Sequence, residues 1–196
     1  MTQHRYLAFN KPFGVLSTFT DAEGRPTLKQ YIDVKEVYSA GRLDFDSEGL
    51  LLLTTDGNLI HELTDPQHHL EKTYLVQVEG IPQPEQLGKL QQGVNIQGYH
   101  TQRCKVIALE NPPSIQERSK PIKPHGPTQW LRMVLREGKK RQIRHMTAAV
   151  GLPTLRIVRI AIGPIGLGEL QPGEWRDLSK DEVALLRSKS RTRKQV

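Results

Sequence analysis

Four consecutive leucines, residues 50–53, follow directly on the polar turn Gly41-Arg42-Leu43-Asp44-Phe45-Asp46-Ser47-Glu48-Gly49. A short apolar run of this kind predicts a strand buried on both faces, and it falls far below the roughly 20 residues that cross a bilayer. The strand would hold the backbone on one side of the turn, and the glycines at 41 and 49 allow tight geometry at its two ends. Arg42 can then swing outward while Asp44 points into a cleft. Asp and Gly are also what ordinary polar turns are made of, so the stretch marks a candidate site only.

The rest of the chain limits what such a carboxylate can work on. Its 196 residues suffice for a sizeable core. Lys plus Arg number 28 against 21 Asp plus Glu, a net charge of +7. The excess is concentrated. Residues 132–159 hold eight cations (Arg132, Arg136, Lys139, Lys140, Arg141, Arg144, Arg156, Arg159) and one acid, Glu137, and the C-terminal end adds Arg187, Lys189, Arg191, Arg193 and Lys194. Two basic blocks on an otherwise balanced chain predict an anionic partner such as a nucleic acid, although a solvated tail has the same composition. The single Cys104 excludes an intramolecular disulfide and a multi-thiolate zinc site. With no signal-like N-terminus and no membrane-length apolar segment, the expectation is a soluble cytoplasmic protein without a membrane partner.

Hydrophobic spacing predicts strands at residues 6–9, 15–19, 50–54, 69–79, 94–96, 105–109, 130–136 and 155–162. A helix is predicted after Asp56, with Leu59, Ile60 and Leu63 on one side, and another from Pro84 to Gly93. A third runs over 139–150 and ends at Gly151. A fourth is opened by the capping box Ser179-Lys-Asp-Glu182. The alternation through 72–78 places Lys72 and Tyr74 on one face. Residues 110–127, with five of the thirteen prolines, predict an exposed connection. The order of elements predicts an α+β fold with a mixed, largely antiparallel sheet and peripheral helices, in two lobes around a central cleft.

Three segments compete for the chemistry: Arg42 with Asp44, Lys72 with Tyr74, and the helix bearing Arg141, Arg144 and His145. A carboxylate kept ionised by a nearby cation can act as a nucleophile. A tyrosine can stack on a nucleobase and assist proton transfer. A surface ion pair and a core tyrosine are the plain alternatives.

Four segments in order resemble RNA pseudouridine synthases of the RsuA type. They are Tyr6-Leu-Ala-Phe-Asn-Lys-Pro-Phe-Gly14, Gly41-Arg-Leu-Asp44-Phe-Asp-Ser-Glu-Gly49-Leu-Leu51, Glu71-Lys-Thr-Tyr74 and Glu137-Gly-Lys-Lys-Arg-Gln142-Ile-Arg144-His145-Met. The resemblance implies isomerisation of a uridine in ribosomal RNA, namely large-subunit (23S) RNA, with neither metal nor other cofactor. It implies Asp44 as nucleophile or base, Tyr74 against the uracil, and Arg144 as the cation paired with Asp44. Arg42 is placed to fill the space the base leaves. Lys11, Lys72, Lys139, Lys140, Arg141, His145, Arg156 and Arg159 are expected at phosphates. The expected organisation is a monomer with one catalytic domain over 1–188, no S4-like domain before it, and a flexible basic tail over 189–196. A catalytically idle RNA-binding or ribosome-assembly protein of the same fold is the rival reading.

Overall fold

The structure is a computed structural model that describes residues 4–65 and 70–191. Its strands are β1 (Tyr6–Lys11), β2 (Tyr38–Ser39), β3 (Glu48–Thr54), β4 (Lys72–Glu79), β5 (Asn95–Ile96), β6 (Tyr99–His100), β7 (Lys105–Ala108), β8 (Thr128–Leu135), β9 (Thr154–Ile162), β10 (Ile165–Gly166) and β11 (Trp175–Asp177). Its helices are α1 (Gly57–Thr64), α2 (Pro84–Gln92), α3 (Gln142–Ala149) and α4 (Lys180–Arg191), and a 3-10 turn covers Leu28–Gln30. The chain divides into two compact units, residues 1–70 with 159–196, and residues 71–158.

In the first unit β1 lies between β11 and β3, antiparallel to both, and β2 adds to β3. The leucine run is explained by the two-residue period of the strand. Leu50 and Leu52 pack with Ala8, Leu59, Leu63, Ile162 and Leu186. Leu51 and Leu53 pack on the other side with Leu7, Phe9, Leu28 and Val37. Each such burial stabilises by roughly 1.5–3 kcal/mol, so β3 is the anchor of this unit. Asp56 caps α1 as expected, its carboxylate accepting from Asn58 N at 3.1 Å and Leu59 N at 3.2 Å. Ser179 and Glu182 close the capping box of α4. That helix continues to Arg191, so the expected tail begins as helix; its remainder, residues 192–196, lies outside the described residues.

The strand expected at residues 15–19 does not form. Only an isolated parallel bridge, Leu16 with Thr27, is present. The polar groups of this segment go to scattered partners instead: Val15 O accepts from Lys11 Nζ and Ser17 O from Ser39 Oγ, while Leu16 N donates to Pro26 O and Thr18 O accepts from Leu28 N.

In the second unit β8 lies between β4 and β7, antiparallel to both. Tyr74, Met133 and Val106 stand opposite one another across the three strands, all buried. β5 and β6 form a small hairpin. Residues 110–127 carry no helix or strand, but they are tied down, since Gln116 O accepts from Arg156 Nη2 at 2.7 Å. The third helix starts at Gln142, later than the spacing predicted, because Arg141 turns into the left-handed region with φ +52°. The registered pairs within the two units are antiparallel, as the mixed, largely antiparallel α+β class requires. Among the described residues, no helix is long and apolar enough to cross a membrane.

Candidate active site

In the first unit the polar turn before β3 is fastened at Leu43, Asp44, Phe45 and Ser47. Ala40 N donates to Leu52 O at 2.8 Å. The Ser17 hydroxyl accepts from Leu43 N at 3.0 Å and donates to Leu43 O at 2.8 Å, so one side chain satisfies both backbone groups of the residue before Asp44. On the far side Ser47 N donates to Asp44 O at 3.1 Å, and Gly14 N donates to Phe45 O at 2.9 Å. Asp44 itself is half-buried between exposed Arg42 and Phe45. A carboxylate so mounted is held by its backbone and open at its side chain, the condition for a preorganised reacting group.

Gly41 and Gly49 both adopt positive φ, +92° and +102°. Gly49 has a second reason to lack a side chain: a Cβ there would stand 2.3 Å from Arg159 O and 2.7 Å from Arg159 N. Beneath the turn sit buried charges. Lys11 is fully buried and Glu48 and Arg159 nearly so. Lys11 Nζ donates to Pro12 O at 2.8 Å and Val15 O at 2.7 Å. Burial pushes its pKa down to about 8, against the opposing pull of Glu48, Asp46 and Asp44. Arg159 Nε donates to Leu50 O at 2.7 Å.

In the second unit Tyr74 lies mid-strand on β4 and Lys72 at its start, half-buried. The entry to α3 is held by a polar knot. Glu137 Oε1 accepts from Gln102 N at 2.9 Å and from Gln142 Nε2, while Gln142 Oε1 accepts from Lys139 N at 3.0 Å. Lys139 and Lys140 project outward, the former's ammonium 5.6 Å from the centre of the Tyr99 ring. His145 Nε2 accepts from Gln97 Nε2 at 3.0 Å, and Arg144 Nη1 donates to Thr154 O at 3.3 Å.

The expected phosphate contacts therefore separate into two kinds. Lys139 and Lys140 are exposed, and Lys72, Arg141 and His145 are half-buried. Lys11, Arg156 and Arg159 are not surface cations: they are 0%, 8% and 3% exposed and spend donors on backbone carbonyls. Solvent exposure therefore favours the first group for phosphate contacts. Ser17 was not singled out from sequence, and Gly14, Glu137 and Gln142 were quoted within the resembling segments without a role, because a serine, glycine or amide holding a loop carries no spacing signal. Cys104 is no nucleophile, its thiol donating to Leu90 O and raised by burial to about 11. Among the described residues, no group of three or more His, Cys, Asp or Glu side chains is arranged to hold a metal ion.

A β-rich frame that mounts one aspartate in the turn before a double-sided strand, with a basic helix in its second unit, matches a known class. Residues 5–149 match the family model described as RNA pseudouridylate synthase, and the chain belongs to this family. It is an RNA pseudouridine synthase, an isomerase. Asp44, Tyr74 and Arg144 all fall inside the matched residues. Among relatives, the ribosomal large subunit pseudouridine synthase E of Vibrio parahaemolyticus is 48% identical over 91% of this chain and 75% of its own length. The protein of the same description from Xanthomonas campestris pv. campestris is 52% identical over 85% of this chain and 91% of its own. A crystal structure of a pseudouridylate synthase superposes with a TM-score of 0.81 at 31% identity, covering 95% of this chain and 75% of that one.

Proposed function

We propose that this enzyme converts a uridine of large-subunit ribosomal RNA to pseudouridine, as a cytoplasmic monomer. The substrate is supported by the two synthase E relatives, which share about half of their residues with this chain over most of its length. The chemistry breaks the glycosidic bond at N1, turns the uracil and joins C5 to the ribose; the C5 proton is released and N1 takes one up, so the composition is unchanged. The target must leave its stack for this to happen.

The observation that carries the site assignment is the Asp44 turn, whose neighbours on both sides are tied by Ser17, Ser47 and Gly14 while the carboxylate is left open. Asp44 is the nucleophile or base, Tyr74 lies against the uracil, Arg144 is the counter-cation of Asp44, and Arg42 fills the space of the departed base. Lys139 and Lys140, with Lys72, Arg141 and His145, draw in the phosphate backbone. Nothing observed favours the catalytically idle alternative. Mapping pseudouridines in ribosomal RNA from cells lacking this protein tests the proposal. One large-subunit position should revert to uridine and regain its modification on complementation; an unchanged large-subunit map overturns the assignment.

A further inference from the structure

Among the described residues, five large hydrophobic side chains are exposed: Tyr38, Phe45, Ile81, Ile107 and Leu185. Scattered apolar residues of this kind are ordinary on a protein surface. Phe45 differs from the other four by its place, directly after Asp44 in a turn whose backbone is fastened on both sides. Its carbonyl accepts from Gly14 N at 2.9 Å, and its Cζ lies 3.9 Å from the point where a Cβ on Gly14 would stand. The ring is thus supported at its tip, while 39% of the residue remains exposed. An aromatic group with a fixed mount and two rotatable side-chain bonds loses little freedom when a ligand settles on it.

The surroundings narrow what that ring can meet. Asp44 and Asp46 flank it, both half-buried, so this part of the surface does not attract phosphates. The bases are the uncharged part of RNA, and every base offers a flat face to an aromatic ring. Such faces are freed when the target uridine leaves its stack, because the bases on either side lose the neighbour they packed against. Arg42, exposed two residues before Asp44, fills the vacated space. One residue after Asp44, Phe45 offers a second planar group.

We propose that Phe45 is a substrate-binding residue that stacks on a base flanking the target uridine and so holds the opened strand while the uridine is at Asp44. The inference rests on Asp44 being the reacting carboxylate, and it adds a contact with the RNA beyond the flipped base itself. The ring makes and breaks no bond in the reaction. Its contribution is to the population of the complex in which the uridine is out of the stack.

The test uses the full chain in excess over unmodified large-subunit ribosomal RNA tritiated at uracil C5, with single-turnover release of tritium followed as the enzyme concentration is varied. Phe45→Leu keeps an apolar side chain and removes the aromatic face. Its efficiency, the maximal rate divided by the half-saturating concentration, should fall about tenfold. The salt slope of RNA binding should not change, since no phosphate contact is lost. Phe45→Tyr and Phe45→Trp should stay within about threefold of wild type. Stacking is read directly in the double variant Asp44→Asn, Phe45→Trp: binding the same RNA should quench the introduced indole beyond the change that Trp130 and Trp175 give in Asp44→Asn alone. This arm decides the matter if Phe45→Leu does not fold. Four results overturn the proposal: a Phe45→Leu enzyme of wild-type efficiency, equal impairment of the Leu, Tyr and Trp variants, a salt slope lowered by about 1 in Phe45→Leu, or no added quench. The Asp44 reading fails separately. An Asp44→Asn enzyme that still releases tritium defeats that reading, whereas an inactive one beside a Phe45→Leu enzyme of wild-type efficiency defeats only the role of Phe45.

Discussion

The Asp44 turn and the approach to α3 are both rich in cations and use them in opposite ways. Around Asp44 the cations are inside. Lys11 and Arg159 are almost without solvent exposure, and their donors go to Pro12, Val15 and Leu50 carbonyls. Before α3 they are outside, with Lys139 and Lys140 exposed and the backbone beneath them knotted by Glu137 and Gln142. A buried cation has a large desolvation cost and a fixed position, so it suits alignment. An exposed one is mobile and screened by salt, so it suits attraction of a polyanion. Net charge alone does not distinguish the two uses.

Substitutions should reproduce that division, beginning with the largest effect. Gly49→Ala forces a Cβ against the Arg159 backbone from a residue already at φ +102°. It should cost about 4 kcal/mol or more in urea unfolding and leave little folded protein. Lys11 should show itself in the pH dependence of stability. Folded Lys11 loses its proton near pH 8 whereas a free lysine does so near 10.5, so its charged form opposes folding relative to the neutral amine. That penalty is fully present below pH 8 and is relieved as pH rises toward 10.5, so wild-type stability in urea unfolding should gain from this group across that window. Lys11→Met should lose this pH dependence, and at pH 7 it leaves Pro12 O and Val15 O without their donor.

Ser17→Ala leaves both Leu43 backbone groups without their side-chain partner, and should cost about 2 kcal/mol with turnover falling and RNA affinity kept. Lys139→Ala and Lys140→Ala should reverse that pattern. Each should lower the salt slope of RNA binding by about 1, with turnover on bound RNA unchanged; a loss of turnover on saturating RNA would place them with the aligning residues. Smallest is the Arg176–Glu182 pair at the start of α4. The hydrogen bond from Arg176 holds Glu182 down at about 2. Its contribution is present above about pH 4.5 and lost as pH falls through 2, so Glu182→Gln should cost at most about 1 kcal/mol at pH 7 and nothing at pH 2.

The contrast also explains which parts were legible in the sequence. The run Leu50–Leu53 announced a strand buried on both faces, and the two leucine pairs do enter separate apolar clusters. The caps at Asp56 and Ser179 were legible because capping depends on local residue type. Residues 15–19 were not, since Val15 and Ser17 give their polar groups to Lys11, Ser39 and Leu43, which are distant or unremarkable in sequence. Lys11, Arg156 and Arg159 read as surface cations because lysine and arginine are seldom buried without a partner. The partners here are mostly backbone carbonyls, and these have no sequence signature. Arg156 and Arg159, three apart in β9, fall on opposite faces of the strand, so no single solvated face could hold both.

Everything argued for the turn depends on Asp44 performing chemistry rather than binding RNA. Asp44→Asn keeps the size of the side chain and the backbone bond from Ser47 N to residue 44 O, and removes only the charge and nucleophilicity. In single-turnover reactions on C5-tritiated large-subunit ribosomal RNA, this variant should bind with wild-type affinity and release no tritium. Release within about tenfold of the wild-type rate, a barrier change of only about 1.4 kcal/mol, would contradict the assignment.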